Sequence, residues 1–561
     1  MTNNRPEPSV IASADGPPSR TVHRCMQIPE IILQVFSQVS SVQERPHATL
    51  AALARTCRSF EGPALEQLWR DPGDLTLRHI LNCFPHGLFV RRTQRMRPSR
   101  MILLRDWERP QRYCNLVRVL SMSFDQRNLL LTLTTWLPDQ YLFPRLQELS
   151  LSGSDDPDHL YLLRPLLPPT LKHIEFTTND CSPSLLSFLP IVAHRAPQLT
   201  TLTFGTSYDT EAISELVRSL HHLESLELPV LTNEIVFHIS RQKKLKSLVI
   251  ESFDVDLDAQ IGKLQALDDL QMFSALETLI LTDANLRRLP ALIAHLGASP
   301  LGELTVHVSA KTVGNTKDTT TFFQAVDTHL NKQTMQQFDF QVANGLVAAA
   351  HVNISGDAFL ALKGFSRLTN VYIECTGHYS ADDAMIDALA RAWPALESFE
   401  LHPSDPPYRM RLSLASLVAF ATHCPRLVAL DVSFDARESP PPVAVVQAAL
   451  RQLYVGFSPI KDPVAVADFL LQLFSKLSDE PGLHADWDPN ASGLDLDSDS
   501  DSDSESASDS ESASDSESES HSESASHSQS RSDDREADSV YAARWKKVAT
   551  SLERRDWLVI N

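Results

Sequence analysis

One pattern, L-x-x-L-x-L, recurs along most of the chain and restricts the fold more than any other feature. It is legible in LQELSL (146–151), LTTLTF (199–204), LESLEL (223–228), LKSLVI (245–250), LETLIL (276–281), LGELTV (301–306), LTNVYI (368–373), LESFEL (396–401) and LVALDV (427–432). Looser copies are VRVLSM (117–122), LKHIEF (171–176), MQQFDF (335–340) and LRQLYV (450–455), which makes thirteen candidate units. The second half of most copies alternates apolar and polar, the period of a strand with one buried face. Helix-like runs such as TEAISELVRSLHH and SLASLVAFATHCP lie between. Proline stands just before several copies (Pro144, Pro197, Pro300, Pro394, Pro425), at a strand entrance where its missing N–H is tolerated. So small a unit buries its leucines only by stacking on its neighbours.

Unit starts fall 22 to 34 residues apart, around the ~20–29 residues of leucine-rich repeats. At 561 residues the chain is too long for one core, and a stacked array accounts for that length. The expected fold class is α/β: a leucine-rich-repeat solenoid over 116–485 with a parallel sheet on its concave face. Outward residues such as Gln147, Glu148, Glu224, Ser225, Glu277 and Thr278 would line that face. Leu-rich alternation also occurs in other α/β folds, which stay open at this point. Most copies lack the asparagine usual after the template, so an irregular curve is expected.

Net charge is −21. Residues 495–538 hold 16 Asp/Glu and 2 Arg, a net of −14, so the remaining chain carries −21 + 14 = −7. This balance gives no reason to expect a nucleic-acid partner. The seven cysteines are scattered and form no C-x-x-C, against a disulfide framework or zinc module and in keeping with a reducing compartment. No signal peptide and no apolar run of 18 residues is seen. Cytosol or nucleus is therefore expected, with no membrane partner.

Ahead of the repeats, residues 1–22 are rich in Pro and Ser and expected to be disordered. Residues 23–84 read as short helices. In IPEIILQVF, Pro29 suits a first helical turn and Glu30 the positive helix end. Ile31, Ile32, Val35, Phe36 and Val39 follow at helical period. A second helix is expected around Leu50, Leu53, Ala54 and Cys57, broken at Gly62-Pro63, and a third around Ala64, Leu65, Leu68 and Trp69. Ile28-Pro29-x-Ile31-Ile32-x-x-Val35-Phe36, Leu50-x-x-Leu53-Ala54-x-Thr56-Cys57-Arg58-x-Phe60 and Leu68-Trp69 together resemble an F-box. Ile28 stands where that family more often has Leu, and Phe60 where it more often has Trp. LARTCRSF followed by ALEQLW is especially similar to F-box proteins abundant in mushroom-forming fungi. The irregular repeats resemble those paired with F-boxes.

The resemblance implies a three-helix F-box and a substrate-recognition adaptor of a Skp-cullin-F-box ubiquitin ligase, not itself an enzyme. It implies that Ile28, Pro29, Ile31, Ile32, Val35, Leu50 and Leu53 offer one exposed apolar face to a Skp-type adaptor, and through it a cullin. The repeats would hold a target protein. Cys57 would be a buried small apolar residue. Two other readings stand beside it. One is a solenoid scaffold unrelated to ubiquitin, its helices an N-terminal cap packed on the repeats through Ile31 and Ile32. The other is an enzyme of another α/β fold. No phosphate-loop, dinucleotide, zincin or nucleophile-elbow motif is present, so no catalytic residue, cofactor or metal is assigned.

Residues 85–115 are Arg-rich (Arg91, Arg92, Arg95, Arg97, Arg100, Arg105, Arg109, Arg112) and read as a solvated connector, with a phosphate patch as the alternative. Residues 486–539 form an acidic, Ser-rich tail with nothing to bury, expected to be disordered. Its serines with nearby acids resemble substrates of acidophilic casein-type kinases; the alternative is a solubilising spacer. The fixed Gly and Glu of an EF-hand loop are absent from it. In 540–561, Tyr541, Trp545, Val548 and Leu552 lie at helical spacing, as suits a helix that docks on the last repeat or binds a partner.

Overall fold

In this computed structural model the structure describes residues 28–42, 46–92, 95–153, 157–177, 183–205, 210–253, 255, 272–309, 315–342, 353–375, 379–403, 411–456, 458–477, 483–484 and 540–552. The segments expected to be disordered, 1–22 and 486–539, lie outside the described residues. Two compact units divide the chain: Met1–Thr178 with Ser182–Ala196, and Asn179–Cys181 with Pro197–Asn561.

The first unit begins with three helices, α1 (Pro29–Val42), α2 (Pro46–Ala54) and α3 (Arg58–Arg70). The Ile32 N–H donates to the Ile28 carbonyl at 3.1 Å. Pro29 is thus the first helical residue, where its missing N–H costs nothing. These helices close on a core of their own. Ile32, Phe36, Leu50 and Ala64 are buried together, with Val39, Leu53, Ala54, Phe60 and Leu68 packed around them. Phe36 and Phe60 meet edge to face at 5.4 Å. Every member of this cluster comes from the three helices themselves.

After α4 (Thr76–Asn82), residues 85–115 fold instead of forming a solvated connector. They make an antiparallel hairpin, β1 (Phe89–Arg92) with β2 (Arg95–Pro98), and a helix, α5 (Leu104–Cys114). Their arginines mask an apolar stripe on α5, for Trp107, Pro110 and Cys114 are all buried at i, i+3 and i+7. Trp107 meets Phe84 edge to face at 4.7 Å, and Tyr113 stacks on Trp69 at 4.5 Å. Arg100 donates to both oxygens of Asp106 at 2.7 and 2.8 Å. That guanidinium, with the Leu103 N–H, holds the Asp106 carboxyl well below the usual carboxylate range. Three parallel strands complete the sheet of this unit: β3 (Val119–Ser123), β4 (Glu148–Ser152) and β5 (His173–Thr177).

In the second unit each strand pairs in parallel with the next along the chain. They are β6 (Thr201–Phe204), β7 (Ser225–Val230), β8 (Ser247–Phe253), β9 (Thr278–Ala284), β10 (Glu303–Val308), β11 (Gln337–Val342), β12 (Asn370–Cys375), β13 (Ser398–Pro403), β14 (Ala429–Val432), β15 (Gln452–Tyr454) and β16 (Leu483–His484). All thirteen copies of the template become strands, β3 to β15; β16 lies beyond the last copy. The fold is a leucine-rich-repeat solenoid with a parallel sheet.

Backbone hydrogen bonds tie the units at the strand entrance. The Glu224 carbonyl accepts the N–H groups of Lys246 and Ser247 at 2.8 and 3.0 Å, and the Lys246 carbonyl accepts those of Glu277 and Thr278 at 2.7 and 2.9 Å. The pattern repeats from Thr200 through Val428, and it needs no particular side chain. The alternate apolar residues of the strands face helices. Phe340 of β11 stacks on Phe322 of the helix Thr316–His329 at 5.4 Å, and Phe399 of β13 meets Phe420 of the helix Leu414–His423 at 5.1 Å.

Residues 540–552 form a helix that docks on the end of this unit. Trp545, Val548 and Leu552 are buried. The Trp545 Nε1–H donates to the Ser458 carbonyl at 2.8 Å, and its ring meets Phe434 edge to face at 5.9 Å. Arg544 donates to the Ile460 carbonyl at 2.7 Å.

Candidate protein-docking surfaces

The helical period puts the apolar residues of α1 on two sides of the helix. Ile32 is 1 % exposed and Phe36 3 %, both inside the three-helix core. Ile28, Ile31 and Val35 are 43 %, 37 % and 46 % exposed, and Pro29 is exposed beside them. The seven residues expected to form one docking face are therefore divided. Four are uncovered; Ile32 and Leu50 are core; Leu53 is half-buried against it. The expectation of one continuous face is corrected on this point. A helix with apolar residues at i and i+1 points them about 100° apart, so Ile31 and Ile32 cannot share a surface. Cys57 is also corrected: it is exposed, not buried, because it sits in extended backbone just before α3 rather than inside a helix.

A second surface lies on the strands of the second unit, on the face away from the helices. Its central row follows the strand register through Thr203, Glu227, Val249, Ile280, Thr305, Asp339, Tyr372, Glu400, Asp431 and Tyr454, one residue per strand from β6 to β15. All ten are half-buried. Two residues further along, His307, Gln341, Glu374 and His402 form a parallel row on β10 to β13. The first row occupies the fifth template position and the second the residue just after the six-residue template, whereas the residues expected from sequence to line this face hold the second and third. The fifth position is readable from sequence as the residue between the last two apolar positions of the template, polar in most copies and apolar at Val249 and Ile280.

The face carries a connected polar cluster. His402 Nε2 lies 3.3 Å from Asp431 and 3.7 Å from Glu400, and its ring is 5.4 Å from that of Tyr372. The Tyr372 hydroxyl donates to Glu374 at 3.1 Å. Burial, with the charges of Glu374, Asp339 and Glu400, pushes the Tyr372 hydroxyl up. Burial pushes Asp431 up to about 6, against the pull of His402. Among the described residues, no group of three or more His, Cys, Asp or Glu is arranged to hold a metal ion. In the Arg-rich segment, Arg100 and Arg112 are engaged by Asp106 and Glu61. No helix among the described residues is long and apolar enough to cross a membrane.

A scan against protein-family profiles finds no match, and a search of curated proteins finds none either. Among solved structures, an internalin from Listeria monocytogenes is 14 % identical with a TM-score of 0.36, covering 64 % of this chain and 86 % of its own. The yeast complex of Rad7 and Elc1 gives 15 % identity and a TM-score of 0.35, over 69 % of this chain and 92 % of that one. The TLR13–ssRNA13 complex gives 14 % and 0.30, over 67 % and 50 %. The assignment of the fold rests on the strand ladder and its register.

Proposed function

We propose that this chain is a substrate-recognition adaptor of a Skp-cullin-F-box ubiquitin ligase, acting by binding rather than by catalysis. In this reading α1 docks a Skp-type adaptor through Ile28, Pro29, Ile31 and Val35, and the repeats hold a target protein. Ile32, Leu50 and Leu53 shape that surface from beneath. The observation that carries the proposal is the separate core of the three helices. A cap packed on the repeats through Ile31 and Ile32 would bury both against repeat residues. Here Ile32 is buried by its own module and Ile31 is left uncovered. Exposed apolar side chains grouped on one helix face mark interaction sites, and tethering a target beside a ligase raises its effective concentration.

The test uses the full-length chain carrying Ile31→Asp and Val35→Asp. Both sites are solvent-exposed, so the melting curve stays within about 0.5 kcal/mol of the parent. Co-purification with a Skp-type adaptor is expected to disappear. Undiminished co-purification would sink the proposal, and a parent chain that captures other proteins but never a Skp adaptor would point to the scaffold reading. Ile32→Asp is unsuitable, because a charge buried in the small core would unfold the module.

A further inference from the structure

The ten strands β6 to β15 contain eight carboxylates: Glu227, Glu251, Asp283, Glu303, Asp339, Glu374, Glu400 and Asp431. They contain no Lys or Arg. The chain outside 495–538 has a net charge of only −7, so these eight exceed its whole net negative charge. Without them the rest of the chain outside 495–538 sums to −7 + 8 = +1. Like charges there are near enough to act on one another. Burial and then Glu227 raise Glu251, while Glu400 adds to the burial that raises Asp431. The face also has a second character. In its central row, Val249 and Ile280 stand side by side on β8 and β9, apolar and half-buried, ahead of Asp339, Tyr372, Glu400 and Asp431 on β11 to β14.

We propose that this strand face binds an extended Lys- and Arg-rich protein segment, its aliphatic end over Val249 and Ile280 and its basic end over Asp339, Glu400 and Asp431. The assignment rests on the adaptor reading above, naming the chemistry of the target that the repeats would hold. Charge complementarity selects the occupant. The chain's own residues 495–538 carry a net −14 and are repelled, as are nucleic acid and the same face of a second copy. Tyr372 and Tyr454 add aromatic surface on which guanidinium groups stack. From Ile280 to Asp431 is five strand spacings, about 24 Å, which an extended segment spans in about seven residues.

The probe is a fluorescent twelve-residue peptide with two leucines at one end and four Lys/Arg at the other, made in both chain directions, with a scramble of the same composition. Anisotropy is measured on the full-length protein. One direction is expected to bind at least fivefold tighter than the scramble, and to weaken at least tenfold in Asp339→Asn/Glu400→Gln/Asp431→Asn. Replacing the Asp and Glu of 495–538 by Asn and Gln should leave the preference over the scramble intact. Equal binding of ordered and scrambled peptides, an unaffected triple variant, or a loss that follows only the tail replacement would each overturn the proposal. The Ile31→Asp/Val35→Asp chain should bind the peptide like the parent, so failure of adaptor docking is read in a separate assay from failure here.

Discussion

His402 sits where three strands bring titratable groups together: Glu400 on its own strand, Tyr372 and Glu374 on β12, and Asp431 on β14. Burial alone would lower its pKa, but the Glu400 hydrogen bond and the charges of Asp431, Glu400 and Glu374 outweigh it and raise it. A raised histidine contributes stability that is present below its unfolded value, about 6.5, and lost as pH climbs through the folded value. Asp431, held up at about 6, keeps its proton longer folded than unfolded. Its contribution also falls, between about pH 4 and 6. Glu400 is lowered, first by its hydrogen bond to His402, and works in the opposite sense only in more acid solution. We therefore expect the melting temperature to drop by about 2 °C or more further from pH 5 to pH 8 in the parent than in His402→Gln/Asp431→Asn. Parallel pH profiles in thermal melts would refute the coupling.

The C-terminal helix 540–552 is joined to its unit by one large side chain more than any other. Trp545 is fully enclosed and hydrogen-bonded. Trp545→Ala should cost about 3–5 kcal/mol of local stability and open the helix to protease, while Lys547→Ala leaves the digestion pattern unchanged; an unaltered pattern in Trp545→Ala would contradict the docking. The spacing of Trp545, Val548 and Leu552 announced an amphipathic helix, but not what it would cover, since periodicity gives a face and not its partner. The same limit applied to α1. Apolar residues at Ile28, Ile31, Ile32 and Val35 were legible, while their division between core and solvent depended on α2 and α3. In the strands the reading was more complete. The alternation that marks the template also fixes which residues point away from the helices, and only the register could align Asp339, Tyr372, Glu400 and Asp431. In 85–115 eight arginines conceal three apolar residues spaced along α5, so composition alone suggests a solvated segment.

Across the second unit, each repeat touches chiefly its neighbours, so stability is close to a sum of local terms. Leu304 of β10 is fully buried. Leu304→Ala should cost about 2–5 kcal/mol and speed amide hydrogen exchange in β9, β10 and β11, with β14 and β15 keeping their protection. Equal acceleration from β6 to β15 would instead show one cooperative block. The docked C-terminal helix has a topological consequence at this scale. Residue 484 lies in β16 and residue 540 begins that helix, both held in one unit, so the 55 residues 485–539 are anchored at both ends. A single scission between residues 484 and 540 would leave two polypeptides that co-elute as one particle, separable only once Trp545 is dislodged.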